Sequence, residues 1–508
     1  MKFKYKILTV LLVVLFASCS DDFLDRQSEE SLTTDVFFKT QADFESAVNG
    51  IYSPLRGFYN AQNKNGTWVP PNLLIGDMHS DNARYYYNPD YRAIGDNEDY
   101  ADFIPGSQLF SGYWNTWYVW ISNANQVITR IDDENIEWDD SSAKDNLKGQ
   151  ALFMRSWCYW QLSQFYGDAC IHLEPVSTVD QTSMPLSDEA EVIAQAKTDA
   201  ASAVELLPDK ANQESGRVTS GTATMLLAEI AIYGKDYATA ETLLKSLSND
   251  YSLMANYADV FDPANKNNQE SIFEIQYDGS SNTYSSNFFY PMTPYPMSKE
   301  VMAELTGATN ATDLAEGEGY CIPSPNLISA YETGDKRFTS TIKDVTNAKG
   351  AVVPTCIKYL HKHSTYFQAD ENMPIWRYSE ALLYLAEALN EQGAGKQVEA
   401  MIYVNMVRNR AELANNTTAT SQEQVREAIL KERRIELAFE GKRFWDLVRF
   451  NKVEEVISAY GASVRADQEA YYLPAGIPVV PSAFTDFRTK FNIPDGEKLY
   501  NPNIGGNE

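Results

Sequence analysis

The sequence predicts a mostly α-helical protein made of helix pairs, with an irregular, loop-rich lobe set among them. Three observations carry that reading. Apolar residues recur at helical spacing along most of the chain, glycine-centred turns separate neighbouring periodic segments, and two aromatic stretches break the helical rhythm. With 508 residues, 44% hydrophobic and 22% charged, the chain can bury a large core and is not generally disordered.

Trp117, Ile121, Ala124, Ile128 and Ile131 follow one face of a helix. From Ala151 to Tyr166 nearly every side is apolar, which predicts a helix buried all round and stopped at Gly167-Asp168. Residues 188–207 read as an Ala-rich helix ended by Pro208. Residues 218–233 and 236–248 form a pair around Gly234-Lys235-Asp236. Tyr378, Leu382, Leu385 and Leu389 mark a helix that turns at Gly393-Ala394-Gly395 into a second, about 397–413. These pairs resemble tetratricopeptide repeats, although the 34-residue pattern is not kept. Residues 271–277 alternate like a strand. The helical scaffold is expected over about 35–275 and 374–460, the loop-rich lobe over about 276–373, and a wrapping tail over 464–508.

The formal net charge is −28, from 70 acids and 42 bases, and no cluster of Lys and Arg suited to a phosphate backbone occurs; nucleic acid is excluded as a partner. Lys2, Lys4 and Lys6 precede an apolar run, Ile7 to Ala17. Its eleven residues rise about 16 Å as a helix, roughly half a bilayer core, so residues 1–18 read as a signal peptide. Leu15-Phe16-Ala17-Ser18-Cys19 resembles a lipobox, which implies lipidation of Cys19 and a mature chain of 19–508. Ser20-Asp21-Asp22 resembles the acidic signal that sends lipoproteins to the cell surface. Cys158, Cys170, Cys321 and Cys356 are too few for a disulfide scaffold, and Cys158 belongs to the buried aromatic helix.

No His-Glu-x-x-His, Gly-x-Ser-x-Gly or Gly-x-Gly-x-x-Gly occurs, and no catalytic residues are assigned. Gly393-Ala394-Gly395-Lys396-Gln397 lacks the hydroxyl and the preceding strand of a phosphate loop. His361 and His363, two apart, read as surface polar residues, so no metal ligand is assigned. No cofactor is expected; the Asp-rich loops are compatible with a structural calcium, but no EF-hand spacing is present. Glu432, Glu436 and Glu440 recur every four residues, an unfavourable face unless arginines lie against it. With Arg433, Arg443, Asp446 and Arg449, and with Arg377, Arg408 and Arg410 supplied by the preceding pair, they are read as a structural ion-pair network.

Glu432-Arg433-Arg434-x-Glu436-x-Ala438-Phe439-Glu440-Gly441-x-Arg443-x-x-Asp446-Leu447-x-Arg449 resembles the C-terminal signature of the SusD/RagB family of Bacteroidetes outer-membrane lipoproteins. Other blocks agree in order, among them Asn49-Gly50-Ile51-Tyr52, Gly149-Gln150-Ala151-x-Phe153-x-Arg155, Gly216-Arg217-Val218 and Arg377-Tyr378-x-Glu380-Ala381. The resemblance implies a non-enzymatic surface lipoprotein that captures glycan and passes it to a SusC-like TonB-dependent transporter. Peptide capture in the RagB manner and a structural or adhesive role are the alternatives.

Ligand contacts have no transferable motif and are chosen by chemistry. Aromatic rings stack on the C–H faces of sugars, while Asp, Asn and Arg bind the hydroxyl rims. The first non-helical stretch, 76–103, offers Asp81, Asn82, Arg84, Tyr85, Tyr86, Tyr87 and Tyr91. The second, 279–298, offers Tyr284, Phe289 and Tyr290, and Trp68 lies in a Gly-Thr-Trp-Val-Pro loop. At least two of these are expected to reach one common surface.

Overall fold

The computed structural model describes residues 37–61, 70–88, 108–176, 178–311, 319–393, 395–481 and 483–504. Trp68, Tyr91 and Cys19 lie outside them. Helix α1 (Gln41–Phe58) starts at a Thr40–Asp43 capping box and buries Phe44, Val48, Ile51, Leu55 and Phe58, spaced 4, 3, 4 and 3. It packs on α2 (Gln108–Ile128) and α3 (Ser141–Tyr166). Asp140 caps α3 by accepting from the Ser142 amide at 2.8 Å, and Gly167, at φ +79°, ends it. From Leu147 onward α3 is buried on nearly every side. Its tryptophans, and those of α2, form edge-to-face contacts that each add to burial worth about 3 kcal/mol per ring.

Helices α4 (Glu189–Leu206), α5 (Ser220–Tyr233) and α6 (Tyr237–Ser246) continue the stack, each packed on its predecessor. A buried bidentate pair, Arg155 Nε and Nη2 to Asp199 at 2.7 and 2.8 Å, fastens α3 to α4. The chain then leaves the stack and returns as α8 (Tyr378–Glu391), α9 (Gln397–Arg410) and α10 (Gln422–Glu436). Helix α8 packs against α6, so the two halves of the scaffold meet directly. Three further helices follow, α11 (Arg443–Arg449), α12 (Val453–Ala466) and the short α13 (Asp495–Tyr500).

Six short strands make three antiparallel pairs among the described residues. Strand β1 (Ala83–Arg84) pairs with β3 (Ile322–Pro323), β2 (Ser271–Ile275) with β6 (Met373–Arg377), and β4 (Ile342–Thr346) with β5 (Val352–Cys356). The β2–β6 pair stands where the chain leaves and re-enters the scaffold, so the excursion over 276–372 is clasped at its base. That excursion holds more regular structure than its composition suggests: α7 (Lys299–Thr306), the β4–β5 hairpin and two single-turn-scale helices, Pro325–Ala330 and Lys336–Thr341. Strand β2 is buried on both faces, so its alternation does not mark a half-exposed edge.

Helix α10 ends at Glu436. Glu440 therefore lies beyond the helix, in a turn where Phe439 (φ +62°) and Gly441 (φ +76°) reverse the chain. The three acids nevertheless share one buried network. Arg377 donates to Glu440 at 2.7 Å, to Glu436 at 2.9 Å and to Glu270 at 2.5 Å. Arg337 binds Glu432 at 2.6 Å and Glu436 at 3.1 Å; Arg410 reaches Glu436 and Arg408 reaches Glu432. Arg433 joins Asp446 to Glu380, and Arg449 joins Asp446 to Glu387. Every acid here has a guanidinium partner, which a buried charge requires. The arginines hold Glu436 well below the usual carboxylate range despite its complete burial.

Candidate functional site

The site is built where the two aromatic stretches meet. The segment that leaves strand β1 carries Tyr85, Tyr86 and Tyr87; the chain near Gly319 delivers the other wall. The Tyr86 amide donates to the Gly319 carbonyl at 2.7 Å, and the Gly319 amide donates to the Thr293 carbonyl at 3.0 Å. Thus residues 83–88 and 291–295 are joined through one glycine. Gly319 sits at φ +76°, and a Cβ there would approach the Tyr86 carbonyl oxygen to 2.8 Å.

Four half-buried tyrosines, Tyr86, Tyr87, Tyr295 and Tyr472, share this edge. Tyr86 and Tyr472 lie 5.9 Å apart between centroids, and the Tyr87 amide donates to the Tyr472 carbonyl. Tyr472 (φ +66°) is fixed by its own hydroxyl, which donates to the Pro323 carbonyl at 2.7 Å. Asn347, at the tip of the β4–β5 hairpin, ties the edge together. Its amide nitrogen donates to the Tyr295 carbonyl at 3.1 Å and reaches the Tyr86 hydroxyl at 3.4 Å. Lys349 stands 5.8 Å from the centroid of the Tyr295 ring. The result is a rim of partly exposed tyrosines with amide, hydroxyl and ammonium groups beside them, the pairing that suits a sugar's apolar face and hydroxyl edge. Tyr295, Asn347, Lys349 and Tyr472 were not foreseen from sequence. Tyr295 lies in the aromatic stretch already singled out, but nothing local marks Tyr472, which comes from the tail.

Several other predicted contacts have structural work instead. Asp81 is buried and paired with Arg443 at 2.8 Å and Arg434 at 2.9 Å, which hold its carboxyl below the usual range against the pull of burial. Asn82 donates to Asp77 and accepts from Arg434. Arg84 donates to the Tyr471 carbonyl, and Tyr85 packs on Tyr320. Phe289 and Tyr290 are buried in a stack with Phe367, at centroid distances of 4.7 and 4.5 Å; the Tyr290 hydroxyl meets His363 Nε2. Side chains so enclosed cannot present a face to a polysaccharide, so Asp81, Asn82, Arg84, Tyr85, Phe289 and Tyr290 are corrected to structural residues. Tyr284 is exposed, but it stacks on Arg56 and makes no ring contact with Tyr86 or Tyr87. Of the described candidates, Tyr86 brings its ring to the rim, and half-buried Tyr87 is joined to it through its backbone amide.

Among the described residues no group of three or more His, Cys, Asp and Glu is arranged to hold a metal ion. His361 lies 3.5 Å from Glu371, and His363 Nδ1 faces the His361 carbonyl at 2.9 Å. Among the described residues no helix is long and apolar enough to cross a membrane.

Known proteins share both halves of this architecture. Residues 22–232 match the family described as starch-binding associating with outer membrane, and residues 341–507 match the SusD family. SusD-like protein P2 of Formosa agariphila is 28% identical, covering 93% of this chain and 96% of its own length. A SusD-like protein of Bacteroides fragilis superposes with a TM-score of 0.68 at 25% identity, covering 83% of this chain and 88% of its own. Surface glycan-binding protein A of Bacteroides thetaiotaomicron, solved with laminarihexaose, does so with 0.67 at 24% identity, over 86% and 94%. Both halves of the chain thus match SusD-type family models and full-length SusD-like relatives, and the chain is a SusD-like protein.

Proposed function

We propose that this protein captures a glycan at the outer-membrane surface, on the tyrosine rim formed by Tyr86, Tyr87, Tyr295 and Tyr472, and hands it to a SusC-like TonB-dependent transporter. SusD-family proteins are carbohydrate-binding and not catalytic, and the chain is no enzyme. The observation that carries the reading is the meeting of rings from three distant segments at one partly exposed edge, tied by Asn347. A buried core would enclose such rings completely; these four tyrosines stay only half-buried. A tyrosine face covering one sugar unit contributes about 1–2 kcal/mol, so capture relies on several rings at once.

The membrane attachment belongs to the same proposal. Lipidation of Cys19 would hold the mature chain at the surface, since each buried methylene of an acyl chain adds about 0.8 kcal/mol. Titration of the purified mature protein against a panel of polysaccharides tests the capture. Binding that falls in a Tyr86→Ala, Tyr472→Ala double variant supports the rim. Binding to extended peptides alone moves the protein to a peptide-capture role. Co-purification of the tagged protein with a TonB-dependent barrel tests the handover.

A further inference from the structure

A second cleft, away from the tyrosine rim, has features that neither the scaffold nor the rim uses. It has a volume of about 260 Å³ and lies between one face of α1, the turn at 214–217 and strand β2. Asn49, Tyr52 and Arg56 face it from α1, three and four residues apart, on the flank of the buried face of that helix. An adjoining recess of about 160 Å³ shares the 214–217 turn as a wall.

Two arginines stand in this cleft under different constraints. Arg217 is held by Asn49 at 2.7 Å and Gln150 at 3.2 Å; its acid partner, Glu214, is largely exposed. Arg56 pairs with no carboxylate among the described residues. Its guanidinium lies 4.7 Å from the ring centroid of Tyr284, itself 46% exposed. The pairing of charges leaves Arg56 over. Arg56 and Arg217 share the cleft with Glu214 and the buried Glu274, whose carboxylate is already taken by the Asn267 amide and Asn372, while Lys210 in the adjoining recess has Glu274 and Asp250 near it; Arg56 is left without a carboxylate of its own among the described residues. A guanidinium stacked on an exposed ring and lacking an acid offers both a planar fork for a carboxylate or sulfate and an apolar face for a sugar ring.

We propose that this cleft is a second saccharide site and that it takes an anionic sugar unit, with Arg56 binding the acidic group and Tyr284 the ring beside it. Asn49 and Ser215 stand at the hydroxyl edge. The inference rests on the glycan-capture reading and adds to it a substrate class and a separate position. In a polymer held at both places, the tyrosine rim and the Arg56 cleft raise each other's effective concentration, so polymers with acidic units for Arg56 are retained more firmly than those without.

Affinity electrophoresis and calorimetry of the purified mature protein, with sodium polygalacturonate, dextran sulfate and laminarin as probes, test this. Wild type is expected to bind at least one of the two anionic polymers, more weakly as salt rises from 50 to 300 mM. Arg56→Ala should weaken that binding about tenfold, Arg56→Lys less, and Tyr284→Ala several-fold, with laminarin binding and thermal midpoint unchanged. The preferred probe separates a carboxylate from a sulfate. Failure of both anionic polymers to bind, or equal binding by wild type and Arg56→Ala, overturns the cleft. Laminarin binding that disappears in the Tyr86→Ala, Tyr472→Ala variant would leave the rim standing even so. Anionic binding lost with Arg56 but indifferent to the rim variant would support the cleft and show that it holds the acidic polymer on its own.

Discussion

Arg443 binds Asp81 at 2.8 Å across 362 residues of chain, with both side chains buried. Asp81 lies two residues before β1, the strand that leads into Tyr86 and Tyr87. The family's most recognisable segment therefore grips the base of the loop that forms the candidate site. This is positioning at a distance: Arg443 anchors the start of the segment whose end carries the rings.

Replacing Arg443 with Ala should cost stability, by about 2–4 kcal/mol. Removing one partner of a buried pair commonly costs 3–5 kcal/mol, and here Arg434 remains to share Asp81. Chemical denaturation measures the loss. Unchanged stability with abolished glycan binding would reassign Arg443 to the ligand site.

Tyr86→Ala should reduce glycan affinity by roughly 5- to 30-fold, matching about 1–2 kcal/mol for one stacked ring. Its ring is half-buried, so the thermal midpoint should move little. Calorimetric titration against a bound polysaccharide decides it; unaltered affinity removes Tyr86 from the site.

Gly319→Ala should impair both properties. The residue sits at φ +76° with the Tyr86 carbonyl where a Cβ would go, and a strained backbone of this kind costs about 1–3 kcal/mol. Relief requires the 83–88 segment to move, which displaces Tyr86. A variant as stable and as tightly binding as wild type would show that the junction does not position the ring.

Stability should fall as pH drops below about 6.5. Burial pushes the His79 imidazole down to about 3, so between those values the unfolded chain binds more protons than the folded one. Below about 4.5 the carboxylates add to the loss. The hydrogen bond from Arg408 lowers Glu332 to about 2, and Arg433 and Arg449 lower Asp446 despite its burial. Asp77 acts in the opposite sense. Burial raises it to about 6, so its contribution weakens as pH rises from about 4 to 6. Asp77→Asn should therefore make the acid-side loss steeper over that interval, as read from thermal midpoints at pH 4, 5, 6 and 7.

Cys19→Ala should leave the protein unanchored, recovered in the soluble fraction after cell lysis. Continued association with membranes would defeat the lipobox assignment.

The helical architecture was legible because it is periodic. The apolar faces of α1, α2 and α8 are written at 3.6-residue spacing, and Gly167 and the turn at Gly234 stand where α3 and α5 stop. The acid–arginine repeat was also visible, since three acids at one spacing demand compensation. Its partners were only partly legible. Arg337, Asp335, Lys358 and Glu270 come from segments remote in sequence and carry no local signal.

The candidate site was the least legible part. Polar and aromatic composition selected Asp81, Asn82, Arg84, Phe289 and Tyr290, but composition does not report which way a loop folds. Folding turned these side chains inward to satisfy buried charges and stack rings. Tyr472 and Asn347 were drawn to the rim by hydrogen bonds between segments more than a hundred residues apart. Local periodicity, turn chemistry and charge spacing are short-range properties, so sequence alone determined the helical stack, the compensated acid face and the family. Exposure and convergence are long-range consequences of how loops are clasped, through β2–β6, β1–β3 and Gly319, and only the tertiary structure decided which tyrosines stand at the surface together.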